Sequence, residues 1–306
     1  MEVFHTLNKQ TDLSLCLGFF DGIHQGHQIV IKNTVNFAKQ NGLKSALITF
    51  AEHPLCLLHG YDVKYISTLE DKLKLIEKLG IDYVYILDFD RELAQKSAYD
   101  YLKDVLVNNF KPKAITTGFN HYFGMKKQGN TTFLYNHQKE FGYKYFEIPP
   151  ITYNNIVVSS SIIKEYLSNG DILTANKLLD YNFSFKSVVQ QGQKIGRTIN
   201  FPTINLEYPI TLIKIPYGVY AVNVEYNNKK YKAIANWGLK PTVNNTLNPT
   251  FEAHLLNFSE DIYGKPVRVE IKDFIRNEIK FLSVKELKKQ IEKDILTIKN
   301  IRMNPK

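Results

Sequence analysis

The chain has 306 residues, 44% hydrophobic and 23% charged, with a formal net charge of +9. That length exceeds what one hydrophobic core usually holds, so two domains are expected; Cys16 and Cys56 alone are too few for a disulfide framework, and no Cys/His spacing resembles a zinc site. No apolar run is long enough to span a bilayer, the opening MEVFHTLNKQ lacks the basic-then-apolar layout of a secretory signal, and the lysines are dispersed rather than gathered into one block; a cytoplasmic protein with neither membrane nor nucleic-acid partner is expected.

Leu13, Leu15 and Leu17 predict a first buried strand, and Ile31, Val35 and Ala38 keep helical spacing over 28–41. Between them runs GFFDGIHQGH, residues 18–27. A strand-to-helix turn presents unpaired N–H groups and partial positive charge, which suit phosphate. Gly18, Gly22 and Gly26 let backbone approach a ligand closely. His24 and His27, three apart, can point into one cleft and donate hydrogen bonds to charge growing on phosphate oxygens.

Further strands are predicted over 45–50, 83–87, 114–117 and 143–148, with helical spacing at Leu69, Leu73 and Ile76 and again at Leu102, Val105 and Leu106. The AEHP loop after the second strand carries Glu52, His53 and Pro54 to the edge where open parallel sheets bind ligands. The alternation predicts a parallel, doubly wound, Rossmann-like α/β domain. Residues 118–130, GFNHYFGMKKQGN, suit a ring system held beside phosphates, and equally suit a surface loop turning at Gly129 and Asn130. Ser159, Ser160 and Ser161 precede a helix over 162–167; the hydroxyls can cap it, or grip a phosphate together with Lys164.

After Asp180 the texture changes. Tyr231, Ala233, Ala235 and Trp237, then Phe251, Ala253 and Leu255, then Val267, Val269 and Ile271 alternate with period two, which predicts a small antiparallel β-barrel. Leu287, Ile291, Ile295 and Ile298 predict a closing helix. The domain junction is expected near residue 180, giving domains 1–180 and 181–306. Residues 191–205, QGQKIGRTINFPTIN, combine Gly192 and Gly196 with Lys194 and Arg197, a phosphate-binding mixture that is also that of a basic hairpin. Thr203 and Asn205 alternate onto one face, where hydroxyl and amide oxygens can meet a magnesium ion. Glu252 and His254 lie opposite Phe251 and Ala253, and a carboxylate there could take the proton from an attacking alcohol; residue chemistry alone does not choose Glu252 over Glu270.

The segment GFFDGIHQGH resembles the HxGH signature of the nucleotidyltransferase superfamily, in the form found in bacterial bifunctional riboflavin kinase/FAD synthetases. The resemblance continues through His53–Pro54, 118–124 and 159–164 in the first domain. In the second it takes in GRTINFPTIN, GVY, ANWGLKPT, EAHLLNF and RNEIKF in the family's order. It implies two reactions with ATP, riboflavin and FMN as substrates and magnesium as cofactor: phosphorylation of riboflavin in the barrel, and adenylylation of FMN, with release of pyrophosphate, in the α/β domain. It further implies His24, His27 and Glu252 as catalytic residues. Gly18, Phe19, Asp21, Gly22, Gly26, Asn120, Ser159, Ser160 and Lys164 would bind ATP for adenylyl transfer. Gly192, Lys194, Gly196, Arg197, Pro202, Asn236 and Arg276 would bind nucleotide or flavin in the kinase, and Thr203 and Asn205 would hold the metal. Lys164 stands where the family usually has arginine and loses its two-pronged grip on phosphate; Asn200 replaces a common glycine, Ile204 an alanine and Lys240 a frequent arginine. A chain retaining one of the two activities, or a flavin-binding regulator on an enzyme scaffold, is the alternative.

Overall fold

The structure, a computed structural model, describes residues 1–7, 10–192, 196, 199–241 and 247–300. Lys194, Arg197, Thr242 and the side chain of Lys240, which the sequence singles out, lie outside the described residues. Internal contacts divide the chain into two units, Met1–Ser160 and Ser161–Lys306.

In the first unit, strands β1 (Glu2–Phe4), β2 (Leu13–Leu17), β3 (Lys44–Phe50), β4 (Tyr83–Leu87), β5 (Ala114–Gly118) and β6 (Lys144–Ile148) form one sheet in the order β1-β4-β3-β2-β5-β6. All of its pairings are parallel. Side chains alternate across the sheet. Leu13, Leu15 and Leu17 join Tyr85, Leu102, Leu106, Phe110 and Leu134 on one face; Cys16, Leu47 and Val84 join Ile31, Val35 and Ile76 on the other. Helices α1 (Gln25–Gln40) and α3 (Leu69–Lys78) therefore cover one face. A continuous helical run over 98–110 and a helix at Thr131–Phe141 cover the other.

In this unit the sequence pattern lacks β1, the short α2 (Pro54–His59), a helical turn at Arg91–Gln95 and the 131–141 helix, among others. That last helix is capped by Asn130, whose side chain accepts from the Phe133 N–H, and Gly142 ends it at φ 71°. Asn130 is thus a helix start rather than the far side of a surface turn. Strands β2 and β5 are neighbours whose crossovers lie on opposite faces, so the crevice beyond their carboxyl ends is the topological switch point where such sheets bind ligands. GFFDGIHQGH leaves β2 and GFNHYFG leaves β5, one on each side of it.

In the second unit, helices α4 (Ser160–Ser168, beginning at the division) and α5 (Ile172–Leu179) precede β9 (Ser184–Val188), β10 (Ile204–Leu206), β11 (Gly218–Tyr226), β12 (Lys229–Pro241), β13 (Leu247–Leu255) and β14 (Pro266–Arg276); the hairpin Thr152–Tyr153 and Ile156–Val157, β7 and β8, ends the first unit. The order is β10-β13-β12-β11-β14-β9, all antiparallel. The two edge strands meet where the Gln190 N–H donates to the Asn205 carbonyl at 2.8 Å and the Glu207 N–H donates to Ser187 Oγ at 3.0 Å, which curls the sheet into a small barrel. Phe185, Tyr220, Ala235, Phe251, Val269 and Ile271 fill it.

Helix α6 (Val284–Asn300) lays Ile298 and Ile295 against Val219, Ala221 and Ile234 on the outer face. Contacts thus group α5 with the barrel, earlier than the junction near 180 expected from texture. The cause is Asn176 on α5, which donates to the Ile271 carbonyl at 2.9 Å and accepts from the Phe183 N–H at 2.7 Å.

Candidate active sites

The HxGH turn is built from strained and crowded backbone. Phe20 at φ 58° and Ile23 at φ 39° sit in the left-handed region without being glycine, the kind of local strain that accumulates at functional sites. Gly22 adopts φ 76°, and a Cβ there would meet Ile66 at 2.8 Å. At Gly26 a Cβ would press to 3.2 Å from the His24 ring, so the glycine of xGH makes room for the histidine before it. His24 Nδ1 accepts from the His27 N–H at 3.4 Å and caps α1, which leaves the proton of a neutral ring on Nε2.

The two imidazoles stack at 3.6 Å between centroids, 20° apart. Burial pushes the His24 pKa down to about 4. His27 is held well below its ordinary value by burial, then by the charges of His24 and Lys72. Both rings are therefore neutral donors at pH 7, and His27 Nδ1 is buried with no hydrogen-bond partner among the described residues.

Several predicted contacts gather around this turn. Ser160 Oγ donates to the Asp21 carbonyl at 3.0 Å, which brings the serine segment to the motif across 139 residues. Phe19 meets His53 edge-on at 4.9 Å and lies 5.6 Å from Tyr65; His53 Nδ1 caps α2 through the Leu55 N–H. Gly18 donates to Ile48 at 3.2 Å, and a Cβ on it would touch the Phe20 ring.

Asp21 has a structural role in the turn. Its Oδ1 accepts from the Ile66 N–H at 2.8 Å, so the carboxylate fastens the turn to the segment before α3. Asn120 is exposed in a turn beside Gly118. Ser159 is half-buried ahead of α4, and Lys164 is half-buried on α4, past the division between the units.

Two groups near these loops were not anticipated. His121 has its Nε2 buried without a partner among the described residues and its pKa lowered by burial to about 4. Lys72 is buried on α3. Its signal was legible: it stands three after Leu69 and four before Ile76, a charge on the apolar stripe.

In the barrel, register assembles the site. Asn205 pairs with Glu252 across β10 and β13, and Glu252 pairs with Asn236 across β13 and β12. Directly opposed residues share a face, so Asn236, Glu252 and Asn205 form one polar row opposite the buried Phe251 and Ala253. Glu270, the alternative carboxylate, is committed elsewhere: it accepts from Lys230 at 2.5 Å and from Asn223 at 3.4 Å.

Asn236 donates to Glu278 at 3.3 Å, and a Cβ on Gly192 would overlap the Asn205 amide. The 199–203 segment ahead of Thr203 is held by the Gly196 carbonyl, which accepts from Phe201 at 2.9 Å, and by His254 Nδ1, 2.7 Å from the Pro202 carbonyl. Asn200 takes φ 63°, the left-handed conformation that asparagine tolerates in place of glycine. Beside this segment a cavity of about 500 Å³ is lined by Pro202, His254, Phe258, Ile295 and Lys299. The Arg276 guanidinium grips Asp294 of α6 at 2.7 to 3.2 Å, so it anchors the closing helix.

A Rossmann-like sheet with neutral histidines at its switch point, followed by a barrel with a carboxylate between two amides, defines a two-domain nucleotide-handling transferase. A family model described as FAD synthetase matches residues 6–162, and one described as riboflavin kinase matches residues 179–302. Relatives called bifunctional riboflavin kinase/FMN adenylyltransferase include one from Haemophilus influenzae, 36% identical over 94% of this chain and 93% of the relative. Another, from Bacillus subtilis, is 36% identical over 94% of this chain and 91% of the relative. The chain belongs to the bifunctional riboflavin kinase/FMN adenylyltransferase family.

A solved structure from Streptococcus pneumoniae, described as a macrolide-efflux protein, superposes with a TM-score of 0.89 at 30% identity, covering 98% of this chain and 99% of the other. Among the described residues no helix is long and apolar enough to cross a membrane.

Proposed function

We propose that the chain converts riboflavin to FMN in its barrel and FMN to FAD in its α/β domain, using ATP in both steps. The observation that carries the first assignment of roles is the cross-strand row Asn236, Glu252 and Asn205. Glu252 takes the proton from the terminal ribityl hydroxyl as that oxygen attacks the γ-phosphorus; the bond to the β-phosphate oxygen breaks and ADP leaves. Thr203 and Asn205 offer neutral oxygen donors, and the absent side chain of Gly192 leaves the cradle in which the Asn205 amide lies; such a pair would suit a magnesium ion accompanying the nucleotide phosphates. When bound, that ion neutralises charge on the phosphates.

In the α/β domain an FMN phosphate oxygen attacks the α-phosphorus of ATP, and the bond to the β-phosphate breaks with its electron pair leaving on pyrophosphate. His24 donates from Nε2 and His27 from its free ring edge to the phosphate oxygens, in a site where neutral imidazoles hold no competing counter-ion. Glycines 18, 22 and 26 keep the backbone close, while Asp21 and Ser160 hold the turn. Asn120, Ser159 and Lys164 are assigned to the nucleotide on family likeness. We place the functional junction at 180, with residues 1–180 serving adenylyl transfer and 181–306 the kinase, in a cytoplasmic enzyme.

The test is chromatography of products after the whole protein is incubated with riboflavin, magnesium and ATP labelled separately at the α and γ phosphates. The γ label should appear in FMN, and both labels in FAD. FAD without the α label, or neither flavin product, would overturn the reading.

A further inference from the structure

Lys72 is 4% exposed and sits on the inner face of α3, where a leucine would ordinarily be expected. Burying an ammonium costs several kcal/mol unless its donors are met, so its presence asks for a reason. All three protons have acceptors: Nζ lies 3.2 Å from the Phe19 carbonyl, 3.2 Å from Thr49 Oγ1 and 3.3 Å from the Phe50 carbonyl. It also stands 4.5 Å from the centroid of the Phe19 ring, a cation–π contact strengthened by desolvation. Thr49 and Phe50 end β3, and Phe19 opens the turn that follows β2. Thr49 Oγ1 in turn donates to the same Phe19 carbonyl at 2.9 Å. From Phe19 the path to the histidines is short, since the Phe20 ring meets the His27 ring edge-on at 5.2 Å.

We propose that Lys72 is a positioning residue of the adenylyl-transfer site, its buried ammonium fastening the exit of β2 to the exit of β3 so that the strained turn presents His24 and His27 to the triphosphate. The inference rests on the functional reading above. Lysine suits the place because two carbonyls and a hydroxyl converge there: the Phe19 carbonyl keeps the Thr49 hydroxyl as a donor, while the Phe50 carbonyl and the Thr49 oxygen would lose the donor that Lys72 gives them. Its charge adds a second effect. Of the charged and titratable groups acting on Lys72, Asp21 from the same turn favours the ammonium, while burial, the larger influence, lowers its pKa to about 8. His27, from the head of α1, feels the positive charge and is held neutral by it along with burial and His24.

The experiment uses the full chain and follows FMN adenylylation and riboflavin phosphorylation on the same preparations across pH. Lys72→Met is expected to lower kcat for FAD formation about tenfold to a hundredfold, the scale of a small misplacement of catalytic groups. Riboflavin phosphorylation should stay within about twofold, because it uses the other domain. The acid limb of the FAD-forming profile should move to higher pH, since removing a positive neighbour raises the His27 pKa.

Lys72→Arg, which keeps a charge at every accessible pH, should recover at least part of the lost kcat and leave the acid limb where the wild type has it. In the wild type, FAD formation should decline as Lys72 loses its proton around pH 8; Lys72→Arg should lack that alkaline limb. A Lys72→Met enzyme with unchanged kcat, or one with reduced kcat and the wild-type pH profile, overturns the proposal. If Lys72→Met does not fold, Thr49→Val, which removes one of the ammonium's acceptors and the hydroxyl bound to the Phe19 carbonyl, takes its place, and unchanged kcat for FAD formation in that variant overturns the proposal. A wild-type protein that makes no FAD from FMN and ATP refutes the functional reading instead.

Discussion

His27→Ala separates the two halves of the chemistry. The ring it removes is stacked on His24 at 3.6 Å and edge-on to Phe20 at 5.2 Å, and its Nδ1 has no protein partner among the described residues. The imidazole therefore holds up little of the local hydrogen bonding. The N-cap of α1 belongs to His24, and the bond it accepts comes from the His27 backbone, which alanine keeps. What alanine loses, on the function proposed above, is a neutral donor to the nucleotide phosphates. Removing one preorganised donor from a site of this kind costs about 10² to 10³ in kcat, or about 3 to 4 kcal/mol of transition-state stabilisation.

The assay is steady-state FAD formation from supplied FMN and ATP, with riboflavin phosphorylation measured on the same sample. Adenylylation should fall by that factor while phosphorylation stays within about twofold, because the kinase groups belong to the other domain. His24→Asn makes the control: asparagine preserves the cap and loses the Nε2 donor, so it should resemble His27→Ala in activity and lose little stability. A His27→Ala protein with both activities equally reduced, or with adenylylation untouched, would refute the assignment.

Glu252→Gln should do the reverse, lowering FMN formation by about 10² to 10⁴ with FAD formation from added FMN intact; equal loss of both would show that the row on β12, β13 and β10 is not the kinase site. Asp294, 3% exposed, is held by Arg276 and by the Gln290 amide, which donates at 2.7 Å, so Arg276→Leu leaves a buried carboxylate with the amide but without its counter-charge and should cost about 3 kcal/mol. Denaturant melts of the barrel read that loss, and a double variant with Asp294→Leu should recover much of it. Stability of the α/β domain should drop on mild acidification. His24 is neutral in the folded protein down to about pH 4 but takes a proton at its ordinary 6.5 when unfolded, so stability is full above pH 6.5 and is lost toward pH 4, by about 3 kcal/mol from this group. His24→Asn should flatten that slope, and a melt series unchanged between the variant and wild type would contradict the burial argument.

Local pattern carried much of this protein. Strict alternation in 231–237 and 251–255, and apolar spacing in α1 and α6, announced their elements because each buries one face and wets the other. β11 escaped the same reading since it is buried on both sides, by the barrel interior and by Ile298 of α6, and so shows an apolar run without a period. GFFDGIHQGH was readable because glycines and histidines at fixed offsets in one turn leave few alternatives. By itself, then, the sequence determined the two domains, the parallel and antiparallel sheets, and the glycine-rich turn that carries His24 and His27.

Tertiary structure decided what local pattern cannot carry. Glu252 and Glu270 are equivalent as isolated strand residues; cross-strand register sets one between Asn205 and Asn236 and the other against Lys230. For Asp21 and Arg276 the fold supplies the Ile66 N–H and Asp294 as partners. Lys72 becomes meaningful only when the ends of β2 and β3, 30 residues apart at Phe19 and Thr49, are drawn together around it. In each case the deciding partner is distant along the chain, and no local periodicity encodes which distant group a charge will meet.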